Sequence, residues 1–404
     1  MSPTKPPLDI VEGIINEVYL SCSSFLVDTR HYCSLSTPCP AALEEIAPFV
    51  NLRLVSSTWN ASVTKIQHSI RGKFFTDVEA GVYYPHAWHI NTRVRKSVLL
   101  GRYRVFQTIS AEEGSRGVYL AYDLADGCSN SSEVVLKCWV SEADFELHQE
   151  TAAYQMLEGC PGIPQPLHLS CHDPHSDVNI LALPKLGPSL EEFIRVLPKQ
   201  RMDRRMVLTV AVQMLRRYRE IHERGVIHIG MKPGNICLPP KHSRDAKDML
   251  YIIDFGFSFP LAENLPLPSA RRTDTVGNRR FMSVFAHHGI SQSQRDDLES
   301  LAYLLSYLYH GELPWDRPGT SHSNHQPQMW RLKTATTATE LFSGMDTCFV
   351  DFWRDVKGLA YGEVPDYDGL VGRFETCFVQ ECSQPGNHQE TTCDWWNIWE
   401  QSQL

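Results

Sequence analysis

The spacing of apolar and polar positions changes period along this chain. Near the N-terminus Leu8, Val11, Ile14, Ile15 and Val18 recur every three or four residues behind Pro6-Pro7, which predicts an amphipathic helix with a proline start signal. A loop rich in Cys, Ser, Thr and Pro follows. The stretch "LEEIAPFVNLRLVSSTWNASV" then offers two more short amphipathic segments, so residues 1–70 predict a small all-α module. Residues 71–98, with the aromatic run "VYYPHAWHI" and a basic end, read as a connector. From residue 99 the period drops to two: "RYRVFQTI", "GVYLAYDL" and "EVVLKCWV" alternate as strands. Further on, "MVLTVAVQMLRRYREIH" and "DDLESLAYLLSYLYH" return to helical spacing. A strand-rich segment followed by a helix-rich one predicts an α+β fold in two lobes.

Composition changes this picture little. The chain has 404 residues, 42% hydrophobic and 21% charged, which is ordinary for a folded protein and long enough for two or three domains. A net charge of −9 argues against a general nucleic-acid binder, because neutralising phosphates needs concentrated Lys and Arg. The basic clusters Arg93-Val94-Arg95-Lys96, Arg271/Arg272 and Arg279/Arg280 are short and local. Twelve scattered cysteines without a CxxC pair read as reduced thiols of a cytoplasmic or nuclear protein, and Cys33 with Cys39 near His31 is the nearest approach to a ligand cluster. The polar, proline-rich start predicts no secretory signal, and no window holds 18 uninterrupted apolar residues, so no membrane span is expected.

Candidate chemistry lies between residues 101 and 382. The strings "LHQETAAYQMLEGCPGIP", "KLGPSLEEF", "HHGISQSQRDDLESLAYLLSYLYHGELPW" and "VPDYDGL", in that order, resemble a casein kinase 1-type serine/threonine protein kinase. The resemblance implies a bilobal domain over 99–382, with an N-lobe at 99–183 and a C-lobe at 187–382, that binds ATP and Mg²⁺ and acts on protein substrates.

Residue by residue, the resemblance implies the following roles. In "SAEEGSRGVYLAY", Gly114 and Gly117 match the second and third glycines of a phosphate loop, where backbone N–H groups must come close to an anion, and Glu112 stands in place of the first. Lys137 in "VVLK" matches the lysine for the α and β phosphates, and Glu150 matches the carboxylate that orients it. With Leu183 as gatekeeper, Pro184 falls where only a carbonyl is needed, and the Leu186 N–H is left to bind adenine. Asp254 of Asp254-Phe255-Gly256 and Asn235 of "KPGN" match the oxygen ligands of the metal, and Lys232 matches the lysine that reaches the γ-phosphate. Asp297 matches an aspartate that anchors the catalytic loop.

That loop, "GVIHIGMKPGNICL", departs from the family. His228-Ile229-Gly230 stands where His-Arg-Asp is the rule, so the resemblance keeps His228 among the catalytic residues, while Gly230 occupies the position of the missing base and Ile229 that of the arginine that reads a phosphorylated activation segment. No Asp or Glu lies between His228 and Ile236 to replace the base. The expectation is a catalytically impaired domain. In "VGNRRFMSVFAHHG", Arg280, reinforced by Arg279, matches an anion pocket favouring acidic or phosphorylated substrates; the alternative is an arginine closing a salt bridge within the C-lobe.

The first 70 residues resemble an F-box, with an opening Pro-Leu and a closing Leu52-x-Leu54-Val55-Ser56-x-x-Trp59-Asn60. Such modules dock by a helical face onto the Skp-type adaptor of cullin ubiquitin ligases. The alternative is an ordinary helical extension. In the tail, 383–404, Trp395, Trp396 and Trp399 predict an apolar helical face that docks on the C-lobe, or else a partner-binding motif.

Overall fold

A computed structural model describes residues 94, 98–112, 116–125, 132–140, 145–241, 248–261, 277–316, 326–383 and 393–403. The F-box-like resemblance, the Cys33/Cys39/His31 cluster and nearly all of the connector lie outside the described residues.

The first lobe is a six-stranded antiparallel sheet. Its strands are β1 (Val98–Leu99), β2 (Tyr103–Glu112), β3 (Arg116–Asp123), β4 (Glu133–Trp139), β5 (His168–Asp173) and β6 (Val178–Pro184), in the order β1-β2-β3-β4-β6-β5. β3 alternates strictly between half-buried and buried positions, and β4 does so up to Cys138, after which Trp139 is buried as well. Tyr119, Ala121, Val134, Leu136 and Cys138 build a small core on one face. The opposite face carries Val135, Lys137 and Trp139 toward helix α1 (Phe145–Met156) and the second lobe.

The second lobe is helical. α2 (Leu190–Val196) starts at a capping box in which Ser189 and Glu192 satisfy each other's backbone N–H groups. α3 (Arg204–Glu223) is capped by Asp203, which accepts from Met206 N at 2.8 Å, and buries Val207, Leu208, Val210, Ala211, Met214, Leu215, Tyr218 and Ile221 along one stripe. After α4 (Val284–His287) comes α5 (Gln294–His310), buried on nearly all sides, which ends at Gly311 in the left-handed conformation (φ 83°) that favours glycine. α6 (Gln326–Ala335), α7 (Ala338–Leu341), α8 (Thr347–Gly358) and α9 (Tyr367–Cys382) complete the bundle. Two short strand pairs, β7 (Val226–Ile227) with β10 (Phe259–Pro260) and β8 (Ile236–Cys237) with β9 (Tyr251–Ile252), frame the loops beneath the sheet. Among the described residues no helix is long and apolar enough to cross a membrane, and all eight cysteines are free thiols.

The tryptophan tail forms α10 (Trp395–Ser402) and docks on this lobe. Trp395 is fully buried and meets the Phe193 ring edge-on at 5.6 Å, and Trp399 stacks on the same ring. The indole N–H groups of Trp395 and Trp396 donate to the carbonyls of Asp248 and Pro239 at 3.3 and 3.1 Å. Trp396 also explains Gly187, just after β6: a Cβ there would lie 2.8 Å from both the Trp396 ring and the Pro239 carbonyl. The tail therefore braces the segment that joins the lobes. Trp395→Ala is expected to lower unfolding stability by about 3–5 kcal/mol in chemical denaturation; a loss below about 1 kcal/mol would show that α10 is not part of the cooperative core.

Candidate active site

The cleft between the lobes gathers its charged groups from both. Lys137, on the cleft face of β4, reaches Glu150 of α1, with Nζ at 2.6 and 2.9 Å from the two carboxylate oxygens, and Asp254 below, at 2.8 Å. Burial alone depresses the Lys137 ammonium, but the Asp254 and Glu150 carboxylates outweigh it and raise the pKa, so the lysine stays charged. The Lys137 charge, working against burial, holds Asp254 well below the usual carboxylate range, with Lys232 adding to it. Glu150 is pushed up by burial and opposed by Lys137. Lys232 Nζ stands 3.6 Å from the other Asp254 oxygen.

Asn235 fits a hard cation beside Asp254. Its Nδ2 donates to the Gly230 carbonyl at 2.8 Å and to Asp254 Oδ2 at 3.1 Å, which leaves its amide oxygen as a second neutral oxygen donor next to an ionised carboxylate. That donor set suits Mg²⁺. At the hinge, Leu183 is buried at the end of β6 and pairs with Val135 of β4, as a gatekeeper should. Among the described residues the Leu186 N–H carries no hydrogen bond, which leaves it for an adenine edge.

The catalytic loop is suspended from α5. Asp297, itself buried, accepts from the N–H groups of His228 and Ile229 at 2.8 Å each and from His222 Nε2 at 2.9 Å. This grip holds Ile229 at φ 60°, a conformation that a β-branched residue adopts only under about 1–2 kcal/mol of strain. Gly230, by contrast, lies outside the left-handed region. A Cβ on Gly230 would sit 3.1 Å from the Asp254 carbonyl and 3.2 Å from the His228 ring, so a side chain there requires those neighbours to yield by a few tenths of an ångström.

Two expectations need correction. His228, taken as catalytic, is fully buried: its ring faces inward, donates from Nε2 to the Ile253 carbonyl at 3.2 Å and packs on Phe255, which in turn meets Tyr154 of α1. Burial pushes its imidazole down, so it is a neutral packing residue. Gly117 lies on the wrong face. In the β3–β4 register Val118 is opposite Lys137, and Gly117 points to the other side, where a Cβ would run into the Tyr119 ring at 2.4–2.8 Å. Gly117 therefore makes room for Tyr119; Gly114 lies outside the described residues.

Arg280 takes the alternative, a salt bridge within the C-lobe: Nε lies 2.9 and 3.0 Å from the two oxygens of Asp316, Nη2 bonds the same carboxylate, and the guanidinium covers the Tyr307 ring at 4.3 Å. The Arg279 and Met282 carbonyls around it are held by Lys333 Nζ at 2.9 and 2.7 Å. Asp316 gave no sequence signal, being one acidic residue in a turn 36 positions away.

The protein kinase domain profile matches residues 124–355. Among curated relatives, casein kinase I homolog 1 of Schizosaccharomyces pombe is 31% identical over 269 residues, 65% of this chain and 58% of that protein. Casein kinase I homolog 2 of the same organism is 32% identical over 286 residues, 69% of this chain and 63% of that protein. The chain thus spans less than two thirds of the length of these relatives. The match begins inside the sheet and runs through the cleft residues into α8, and on that ground the chain belongs to the protein kinase family, with a casein kinase I-like protein kinase domain.

Proposed function

We propose that this chain binds ATP with Mg²⁺ and is impaired in phosphoryl transfer, and that it works as a pseudokinase adaptor that presents a protein partner to a ubiquitin ligase. The observation that carries the nucleotide half is the closed cluster of Lys137, Glu150 and Asp254 beside Asn235. In this reading Lys137 steers the α and β phosphates, Lys232 the γ-phosphate, and the Leu186 N–H the adenine; Asp254 and Asn235 hold the Mg²⁺, which neutralises charge on the phosphates. The acceptor hydroxyl has no carboxylate to take its proton, because position 230 is glycine.

Loss of a positioned general base lowers rates by roughly 10²–10⁴. Set against about 1–100 s⁻¹ for kinases, that leaves on the order of 10⁻⁴–1 s⁻¹. The assembled cleft therefore also supports a second reading, a weakly active serine/threonine kinase acting on protein substrates. The adaptor half rests on the F-box-like pattern of residues 1–70 and on an Arg279/Arg280 pocket that admits an acidic group in exchange for Asp316.

Three measurements test this. In a phosphotransfer assay Gly230→Asp is expected to raise turnover by about 10² or more, and Asp254→Ala to remove what turnover there is. Ordinary kinase rates in the unaltered protein, lost in Asp254→Ala, would sink the pseudokinase reading. Asp316→Asn should raise affinity for a phosphorylated peptide by about tenfold, read by fluorescence polarisation; an unchanged affinity means that the Arg280 pair is purely structural. Pull-down with a Skp-type adaptor should succeed with the full chain and fail with Ile14→Asp/Ile15→Asp; equal recovery of both removes the ubiquitin-ligase link.

A further inference from the structure

The alternation of β3 leaves a cation where the phosphate loop ends. Arg116 opens β3 opposite Trp139 and shares the cleft face with Val118, the residue across from Lys137. Two residues along a strand cover about 7 Å, so Arg116 stands one pleat beyond the lysine, on the loop side. Its guanidinium is ion-paired with Glu146 in the first turn of α1. Glu146 in turn abuts the turn that carries the metal carboxylate: a Cβ on Gly256 would lie 3.4 Å from Glu146 Cβ and 3.5 Å from Oε2. One ion pair thus joins the strand leaving the loop, the start of α1 and the Asp254-Phe255-Gly256 turn. Both side chains remain partly exposed, at 31% and 22%.

We propose that Arg116 is a phosphate-binding residue of this chain, and that Glu146 is the internal carboxylate it gives up when the polyphosphate of a nucleotide arrives. Phosphate loops hold their anion through backbone N–H groups that glycines let approach. Here the string reads Glu112-Glu113-Gly114-Ser115-Arg116 in the sequence, and Gly117 faces the sheet's other side. A guanidinium offers in exchange a full charge and two parallel N–H donors, a geometry matched equally by carboxylate and phosphate. The same feature makes Glu146 a built-in competitor of the nucleotide. In the exchange Arg116 stays paired, and the released carboxylate meets water at the cleft edge.

This inference rests on the nucleotide-binding reading above, and the test separates the two. Titration calorimetry on the full chain with Mg²⁺ compares ATP with adenosine, which lacks phosphate. Arg116→Gln should weaken ATP about tenfold and leave adenosine unchanged. Glu146→Gln, which removes the competitor, should tighten ATP severalfold and also leave adenosine unchanged, and this opposite sign cannot come from damage to the fold. ATP binding that is the same in Arg116→Gln as in the unaltered protein, a proportional loss of ATP and adenosine, or weaker ATP binding in Glu146→Gln overturns the proposal alone. An unaltered protein that binds neither compound overturns the nucleotide-binding reading and this proposal with it.

Discussion

One buried carboxylate organises the cleft. Asp297 spends both oxygens on the backbone of the catalytic loop and on His222. An ionisable side chain in that position is stable only with such complete satisfaction. In return it fixes two successive backbone N–H groups, and through them the strained Ile229 and the path that delivers Gly230, Lys232 and Asn235 to the cleft floor. The loop's shape is thus set from behind by α5 and not by the residues that face the cleft. That explains how Ile and Gly can stand where Arg and Asp are the family rule without the loop losing its form.

The outcome is a cleft that keeps its charged groups linked while a glycine stands at position 230. Lys137, Glu150 and Asp254 form a closed network in which the Lys137 charge opposes the burial of both carboxylates and the two carboxylates together keep the lysine charged. Such a network binds and orients charge whether or not chemistry follows. Position 230 contributes nothing to it, because a base acts on the acceptor side of the phosphate. Elsewhere the chain meets its arginines with its own carboxylates: Asp316 on Arg280 and Glu146 on Arg116. Each pair sets a guanidinium against a carboxylate of the chain itself. The tail adds rigidity from outside, since α10 packs against Gly187 and the carbonyl of Pro239 next to the hinge.

Much of this was legible in the sequence, for a local reason. Lys137, Glu150, Lys232, Asn235, Asp254 and Asp297 each sit in a short string whose spacing is imposed by one strand, one helical turn or one loop, and the structure brings them together. The tail's three tryptophans were legible as an apolar helical face by the same local periodicity. The errors have a common origin. Gly117 was one position out of phase, and in a strand that reverses the face of a residue. His228 was read by type, whereas burial decided what it does, and a partner 36 residues away decided between the two readings of Arg280.

The sequence by itself determined the two-lobe order, the places of Lys137, Lys232, Asn235 and Asp254, and the glycine at 230, because these follow from residue identity and short-range period. Only the tertiary structure decided which face of β3 looks into the cleft, which carboxylate each arginine meets, and what holds Ile229 in its strained conformation. Strand register and long-range charge pairing are settled by packing between elements far apart in the chain, and no local pattern encodes them.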